Sequence, residues 1–344
     1  MKLRRVYFDC SRCAAGGYAA DDGLGIAGGQ SCQARRLLCL AGTSWSFAAA
    51  SDHLREMCGL DVAANTVRNV CQAEAARVEK WQANAPQATA EYARSPGEIE
   101  FFTDGTCVNT TEGWKEMRLG VFTKRPLGDA ATPDEWGDRV LPPITARHVF
   151  AAIESANEFA ASWPLVASRL GIRSNRRIDV VADGARWIWD RVALHWPAAV
   201  GTLDVYHALE HVAAAGKALH GEATPQTRLW TDQARDVLLR EGHAGIKRLI
   251  AESRLIAVRP GQRSGLNDLE HHLDCHVHHL DYAHRLAEGR VIGSGQVEGA
   301  CKHWIGRRLK QTGARWRKER ANRMASLCAL KYSHQWSAYW STAA

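Results

Sequence analysis

Apolar positions recur with two different periods along this chain, and the switch between them divides it. From Gln33 to Trp81 the spacing is helical. Leu37, Leu38, Leu40 and Ala41 make a first apolar face. A second helix is predicted to about Met57, a turn falls at Gly59, and a third helix starts near Ala63. Asn84 to Gly97 contains Pro86 and Pro96 and reads as a linker. β-Branched and aromatic residues then take over. Ile99–Val108, Trp114–Lys124 and Arg147–Ile153 predict three strands, with the polar, Pro-containing stretch Leu127–Pro143 as a loop. Ala156–Leu170 predicts a helix, apolar at Phe159, Trp163, Leu165, Val166 and Leu170. A fourth strand, Ile178–Val181, is interrupted by Asp179 and stops at the turn pair Asp183-Gly184. Trp187, Ile188, Val192 and Ala193 recur at helical spacing up to Pro197. A fifth strand, Ala199–Leu203, ends in Asp204. His207 and His211 follow at helical spacing, and no further strand is predicted.

The order is strand, strand, strand, helix, strand, helix, strand, helix. Three strands can meander antiparallel and the last two join by helical crossovers. This is the order of an RNase H-like domain, so the expected fold class is α/β. The expected architecture is an RNase H-like catalytic domain, followed after its fifth strand by a long helical stretch and preceded by a small helical N-terminal domain. The expected segments are a Cys-pair region (1–32), a helical DNA-binding region (33–83), a linker (84–97), the first part of the core (98–215), the helical stretch (216–288), and a C-terminal core helix with a basic region (289–344). A short Gly-containing turn between two helices fits a helix-turn-helix, which would expose Asn65, Thr66, Arg68 and Asn69; an ordinary helical hairpin fits equally.

Net charge narrows the partners. The 344-residue chain carries +7, which suits a polyanion. The charge is concentrated: Lys302, Arg307, Arg308, Lys310, Arg315, Arg317, Lys318, Arg320 and Arg323 stand against Glu319 alone, interleaved with Trp304 and Trp316. That one-sided block favours nucleic acid over a merely solvated face. No eighteen-residue apolar run and no apolar leader are present, so neither a membrane span nor a membrane partner is expected, and a cytoplasmic location is. The ten cysteines then read mostly as small buried hydrophobes. Only Cys10 and Cys13 have metal-like spacing. They make half of a zinc site, with Cys32 a conceivable third ligand and no fourth in view. The histidines between Leu266 and Leu286 (His271, His272, His276, His278, His279, His284) are scattered around a helix, and a solvated surface is expected for them.

Acids at strand ends carry the candidate chemistry. A strand holds its backbone rigid, and its terminal carboxylate projects into the crevice where α/β sheets place ligands. In the expected topology the strand of Asp104 neighbours the strand that ends at Asp183. Glu298 lies in the first turn of a helix beginning near Gln296, after Gly293-Ser294-Gly295. The alternatives are that Asp183 caps the helix after it and that Glu298 answers a helix dipole. Three converging carboxylates repel and call for cations. Two Mg²⁺ ions, for which Mn²⁺ would substitute, suit such oxygen ligands. Roughly 3.5–4 Å apart, they would activate a water or a 3′-hydroxyl against a phosphodiester.

TDGT (Thr103–Thr106), ADGARWIW (Ala182–Trp189), LDVYHALEH (Leu203–His211), GSGQVEGACK (Gly293–Lys302) and RRLKQTGARW (Arg307–Trp316), in this order, resemble the DDE transposases of bacterial insertion sequences, of the Mutator-like ISKra-four family. The resemblance runs from about Leu3 to the C-terminus. It implies a transposase that cleaves DNA and transfers the strand with divalent metal, its core carrying a helical insertion before the final acid, with Asp104, Asp183 and Glu298 as catalytic metal ligands. Asp204 and His207 match a DxxH-type motif with a site-shaping role, although Asp204 also ends a strand and competes with Asp183 as ligand. DNA contacts fall to Lys302, Arg307, Arg308, Lys310, Arg315 and Arg68. The partners would be duplex DNA, as element ends and target, and a second copy of the chain, at least as a dimer on DNA. The family usually has a further Cys pair upstream of Cys10 and Cys13, so a shortened N-terminus with doubtful zinc binding is expected. That leaves two rivals: a catalytically inactive DNA-binding remnant that inhibits transposition, and an RNase H-like nuclease with a cellular role.

Overall fold

The computed structural model describes residues 6–18, 20–21, 23–26 and 29–342. It opens with a short hairpin, β1 (Tyr7–Asp9) and β2 (Gly16–Tyr18). Helices α1 (Cys32–Ser44), α2 (Phe47–Cys58), α3 (Ala64–Asn84) and α4 (Gln87–Arg94) follow. Next come β3 (Glu98–Thr110), β4 (Gly113–Arg125), β5 (Ala146–Ala152), α5 (Ala156–Ala161), α6 (Trp163–Arg169), β6 (Asp179–Ala182), α7 (Arg186–His195) and β7 (Val200–Leu203). The remainder is helical: α8 (Val205–His220), α9 (Pro225–Arg254), α10 (Pro260–Asp274), α11 (Tyr282–Ala287) and α12 (Gly295–Ala300), a π-helical stretch (Cys301–Gly306), then α13 (Arg307–Leu309), α14 (Lys318–Tyr332) and α15 (Trp336–Thr342). No helix among the described residues is long and apolar enough to cross a membrane.

The chain divides into two units. One comprises Met1–Thr89, Val108–Trp114 and Trp304–Ala344, and the other Ala90–Cys107 and Lys115–His303. The second unit is built on a mixed five-stranded sheet of order β5-β4-β3-β6-β7. β3 and β4 are joined by a two-residue turn, β4 and β5 are antiparallel, and β6 lies parallel to both β3 and β7. The register pairs Thr103 with Ala182 and Ala182 with Leu203. Alternation along the strands puts Ile99, Phe101, Phe122, Ile178 and Val180 into one core with Phe159, Trp163 and Trp196 from the crossover segments. A separate helical core joins Leu203 to α8, α9, α10 and α11 through Val212, Trp230, Leu239, Ile250, Leu269 and Tyr282.

Asp179, the acid that interrupts the fourth strand, is buried and held by Arg285 at 2.6 Å and by Arg290. Glu100 on the neighbouring strand is buried too. It accepts from the Thr123 hydroxyl at 2.6 Å and pairs with Arg125 at 3.1 Å. Both carboxylates therefore replace lost hydration with charge-assisted bonds, as burial requires.

In the first unit, α1, α2 and α3 pack through Leu38, Cys39, Ala50, Leu54, Val67, Cys71 and Val78. Gly42 permits the close approach, since a Cβ there would lie 2.4 Å from the Cys71 sulfur. Gly59 ends α2 in the left-handed region at φ 63°. α14 packs along α3, where the Gln72 amide donates to the Arg320 carbonyl at 3.2 Å. A buried Glu74 gathers Arg77 at 2.6 Å, Arg35 at 3.2 Å and the Tyr339 hydroxyl.

Several expectations change. The last forty or so residues pack with the N-terminal helices, so a continuous C-terminal segment 289–344 does not stay with the sheet. Burial of Trp304, Met324, Leu327 and Trp340 against a helical partner decides this. The expected linker 84–97 contains α4, anchored by buried Tyr92. The helix expected over Ala156–Leu170 is two helices meeting at Ser162, two residues before Pro164. On α1, Leu37 and Leu40 are each 39% exposed, and the buried face runs through Arg35, Leu38, Cys39 and Gly42.

Candidate functional site

β3 and β6 are parallel neighbours with Thr103 directly opposite Ala182. The next residue on each is an aspartate, so Asp104, inside β3, and Asp183, just past the end of β6, stand at the same level. Asp104 is half-buried, and burial raises its carboxyl above the ordinary value near 3.8. The Gly105 N–H, donating at 2.6 Å, opposes that rise, and the negative charges of Asp183 and then of Glu298 add to it. Both acids are thus close enough to Asp104 to disfavour its ionised form. Glu298 sits in the first turn of α12, more than 100 residues along the chain from Asp183 and separated from it by α7, β7 and the helices α8 to α11. The Cys301 thiol, one turn further on, donates to Asp104 at 3.6 Å. The structure therefore brings together Asp104, Asp183 and Glu298.

Asp183 does not cap α7, whose N-cap is Ala185 with no side-chain hydrogen bond; it closes the turn before the helix instead. Its carboxylate accepts from the Ala185 N–H at 2.9 Å at the start of α7. That bond uses Oδ1 and leaves Oδ2 for another partner. The Asp183 carbonyl accepts from the Trp189 indole at 3.1 Å, which fixes the turn from behind.

Asp204 is placed differently. It is buried, and its two oxygens accept from the Ser294 hydroxyl at 2.6 Å, the Ser294 N–H at 3.3 Å and the Tyr206 N–H at 3.1 Å. Burial raises its carboxyl, and the charge of Glu298 adds to this. Asp204 thus caps α8 and clamps the segment leading into the Glu298 helix, which favours Asp183 over Asp204 as the open carboxylate. His207, three residues on, faces Glu210 at 3.6 Å and His211 at a ring separation of 5.1 Å. A groove beside α12 is lined by Trp136, Tyr206, Arg139, Gly293 and Gln296.

The carboxylate set matches a hard divalent cation. Its donors are oxygens, they repel one another, and Asp104 is protonated more readily than an isolated aspartate in the absence of a countercharge.

The basic residues separate into two kinds. Arg308 does not face solvent. It is 3% exposed, donates from Nε to the Gly42 carbonyl at 2.5 Å, and lies over the rings of Phe47 and Trp316, 4.4 and 5.0 Å from their centroids. It is a core cation and is withdrawn as a DNA contact. Trp304 and Trp316 are buried as well, so they offer no stacking surface. Arg315 is exposed and donates to the carbonyls of Thr110 and Thr111. Arg307 and Lys310 are exposed, as is Lys302, which pairs with Glu298 at 3.4 Å. Arg68 on α3 is half-buried beside exposed Asn65 and Asn69. Cys10 and Cys13 are exposed at the turn between β1 and β2, while Cys32 is buried at the start of α1.

Of the histidines expected on a solvated surface, His271, His278 and His284 are exposed, but His272, His276 and His279 are not. His272 ends α10 half-buried against His211 of α8, with the rings stacked 3.7 Å apart, and His276 is buried. Burial, then the neighbouring imidazoles, pushes His272 down to about 3, and burial lowers His211 and His276. Sequence periodicity missed this group because its members come from two helices and the turn after α10.

Among known proteins, no family model matches this sequence and no curated protein matches it.

Proposed function

We propose that the chain is a DDE transposase of an insertion sequence, acting on DNA phosphodiesters with two divalent cations held by Asp104, Asp183 and Glu298. The observation that carries the reading is the convergence of these three carboxylates from β3, β6 and α12. The strand order β5-β4-β3-β6-β7, with three meandering strands and two parallel additions, supports an RNase H-like core. The helices between β7 and α12 fit the insertion expected before the final acid.

When bound, the Mg²⁺ pair would supply an activated oxygen nucleophile and stabilise the leaving oxygen. The protein's own groups have distinct tasks. Asp104 is held within β3 and Asp183 at the end of β6, so the sheet sets their separation. Asp204, through Ser294, fixes where α12 begins and so where Glu298 lies. The α2–α3 pair, with Asn65, Arg68 and Asn69, would read element ends. Exposed Arg307 and Lys310 would meet the phosphate backbone and make binding sensitive to salt. Pairing two element ends calls for at least two chains on the DNA.

The test is cleavage of labelled duplex carrying the element's own end, with Mg²⁺ or Mn²⁺, by the wild type and by Asp183→Ala. Metal-dependent nicking at the repeat boundary that disappears in the variant is the expected result. Cleavage of any duplex without regard to the end would favour a general nuclease. Tight end binding with no cleavage by the wild type would favour a DNA-binding remnant.

A further inference from the structure

We infer that His207, His211 and His272 form a second, chemically different cation site, specific for a borderline divalent ion of the Zn²⁺ class. This does not rest on the transposase reading. Among the described residues, one nitrogen from each of the three rings lies within 4.8 Å of the other two. His207 and His211 are one turn apart on α8 and so share a face, and His272 comes from the end of α10.

Three observations argue for an ion rather than a satisfied polar cluster. The Nε2 of His272 is buried and has no hydrogen-bond partner, a costly state that coordination would relieve. The His211 and His272 rings are stacked 3.7 Å apart at 11°, too close for both to carry a charge, which favours the neutral imidazole a metal binds. The donor set is all imidazole, which selects Zn²⁺, Co²⁺ or Ni²⁺ over Mg²⁺. A tetrahedral ion with metal–nitrogen bonds of about 2.0–2.1 Å needs its nitrogens roughly 3.3 Å apart, so on binding the His211 and His272 rings turn out of their stack to aim their in-plane lone pairs at the ion. Glu210, 3.6 Å from the Nδ1 of His207, is placed to orient that ring from outside.

The position gives the ion a purpose. A Cβ on Gly184 would fall 2.4 Å from the Cε1 of His272, and the Gly184 carbonyl accepts from the Nε2 of His276 at 3.1 Å. The histidines therefore pack directly on the turn that carries Asp183. An ion joining α8 to α10 braces that turn from behind, leaving the carboxylates to hold the hard cations.

The experiment is a Co²⁺ titration of the full chain after chelator treatment, read by visible absorption. One equivalent with tetrahedral d–d bands and no thiolate charge-transfer band is expected. His272→Ala and His211→Ala should each weaken this binding by more than the roughly 10–100-fold typical of outer-sphere partners. Cys10→Ser with Cys13→Ser, and separately Asp104→Asn, should leave it intact. An unchanged spectrum in His272→Ala, or its loss in the cysteine variant, overturns the inference. Circular dichroism checks that the histidine variants fold. If they do not, X-ray absorption of the Zn²⁺-loaded wild type decides: an imidazole-nitrogen shell upholds the site, and a sulfur or all-oxygen shell refutes it.

Discussion

Replacing Asp183 by asparagine should stabilise the metal-free protein. Asp104 and Asp183 follow a directly paired Thr103 and Ala182 on parallel neighbours, and such strands lie about 4.8 Å apart. With charges roughly 6 Å apart and an effective dielectric of about 20, their repulsion is roughly 3 kcal/mol. Both groups are half-buried, and solvent and salt screening reduce this to about 1–2 kcal/mol. Asparagine keeps the oxygen that accepts from the Ala185 N–H, so the turn survives and the charge alone is lost. For a chain of this size the melting temperature should rise about 2–4 °C per kcal/mol. Adding Mg²⁺ should reverse the ranking. At a hundredfold excess over its dissociation constant a ligand stabilises by about 2.7 kcal/mol, and the wild type alone holds the full donor set. Melting curves in chelator and in Mg²⁺ test this. A variant that melts below the wild type in chelator, or equal Mg²⁺ shifts in the two proteins, would refute convergence of the carboxylates. The pH dependence follows the same logic. The folded-state value of Asp104 is raised above its ordinary 3.8, so its protonation favours the folded state. In chelator this stabilisation is full below about pH 4 and is lost as pH rises through the raised value. Asp104→Asn should flatten that part of the stability profile.

Other substitutions separate structure from chemistry. Asp179→Asn leaves the buried guanidiniums of Arg285 and Arg290 without their carboxylate; the expected loss is about 3–5 kcal/mol by urea unfolding. Arg308→Ala removes a buried cation stacked on two aromatic rings and should cost about 2–3 kcal/mol, leaving the salt dependence of DNA binding unchanged. Arg307→Ala should do the converse, lowering the slope of log affinity against log salt by about 0.9 with little change in stability. Ser294→Ala removes the hydroxyl held by Asp204 at 2.6 Å; a loss of about 1–2 kcal/mol is expected, with cleavage falling more than DNA binding. Gly184→Ala drives a methyl group into His272 and should depress both cleavage and Co²⁺ absorption while far-ultraviolet circular dichroism stays native.

Local patterns were legible wherever the physics is local. Five strands could be placed from β-branched runs, and their ends fell within two residues of the expected positions, because alternation and turn pairs act over a few residues. Asp104 could be nominated because it lies on such a run and Asp183 because it follows one, and adjacency of their strands followed from the expected order. Glu298 was singled out partly by resemblance, since a glutamate in a first helical turn is common.

What only the tertiary structure decided are the partners that residues meet across long stretches of chain. A periodic pattern records that a face is buried, never against what. That is why the C-terminal helices were expected beside the sheet and instead pack with α3, and why Arg308, one basic residue in a basic block, proves to be a core cation. The histidines show the same limit. On their own helix they point in several directions, and their proximity arises only when α10 lies against α8. Pairwise chemistry such as ion pairing, ligation and mutual repulsion depends on separations of a few ångströms between residues remote in sequence. The linear pattern supplies the functional groups, and packing alone sets their distances.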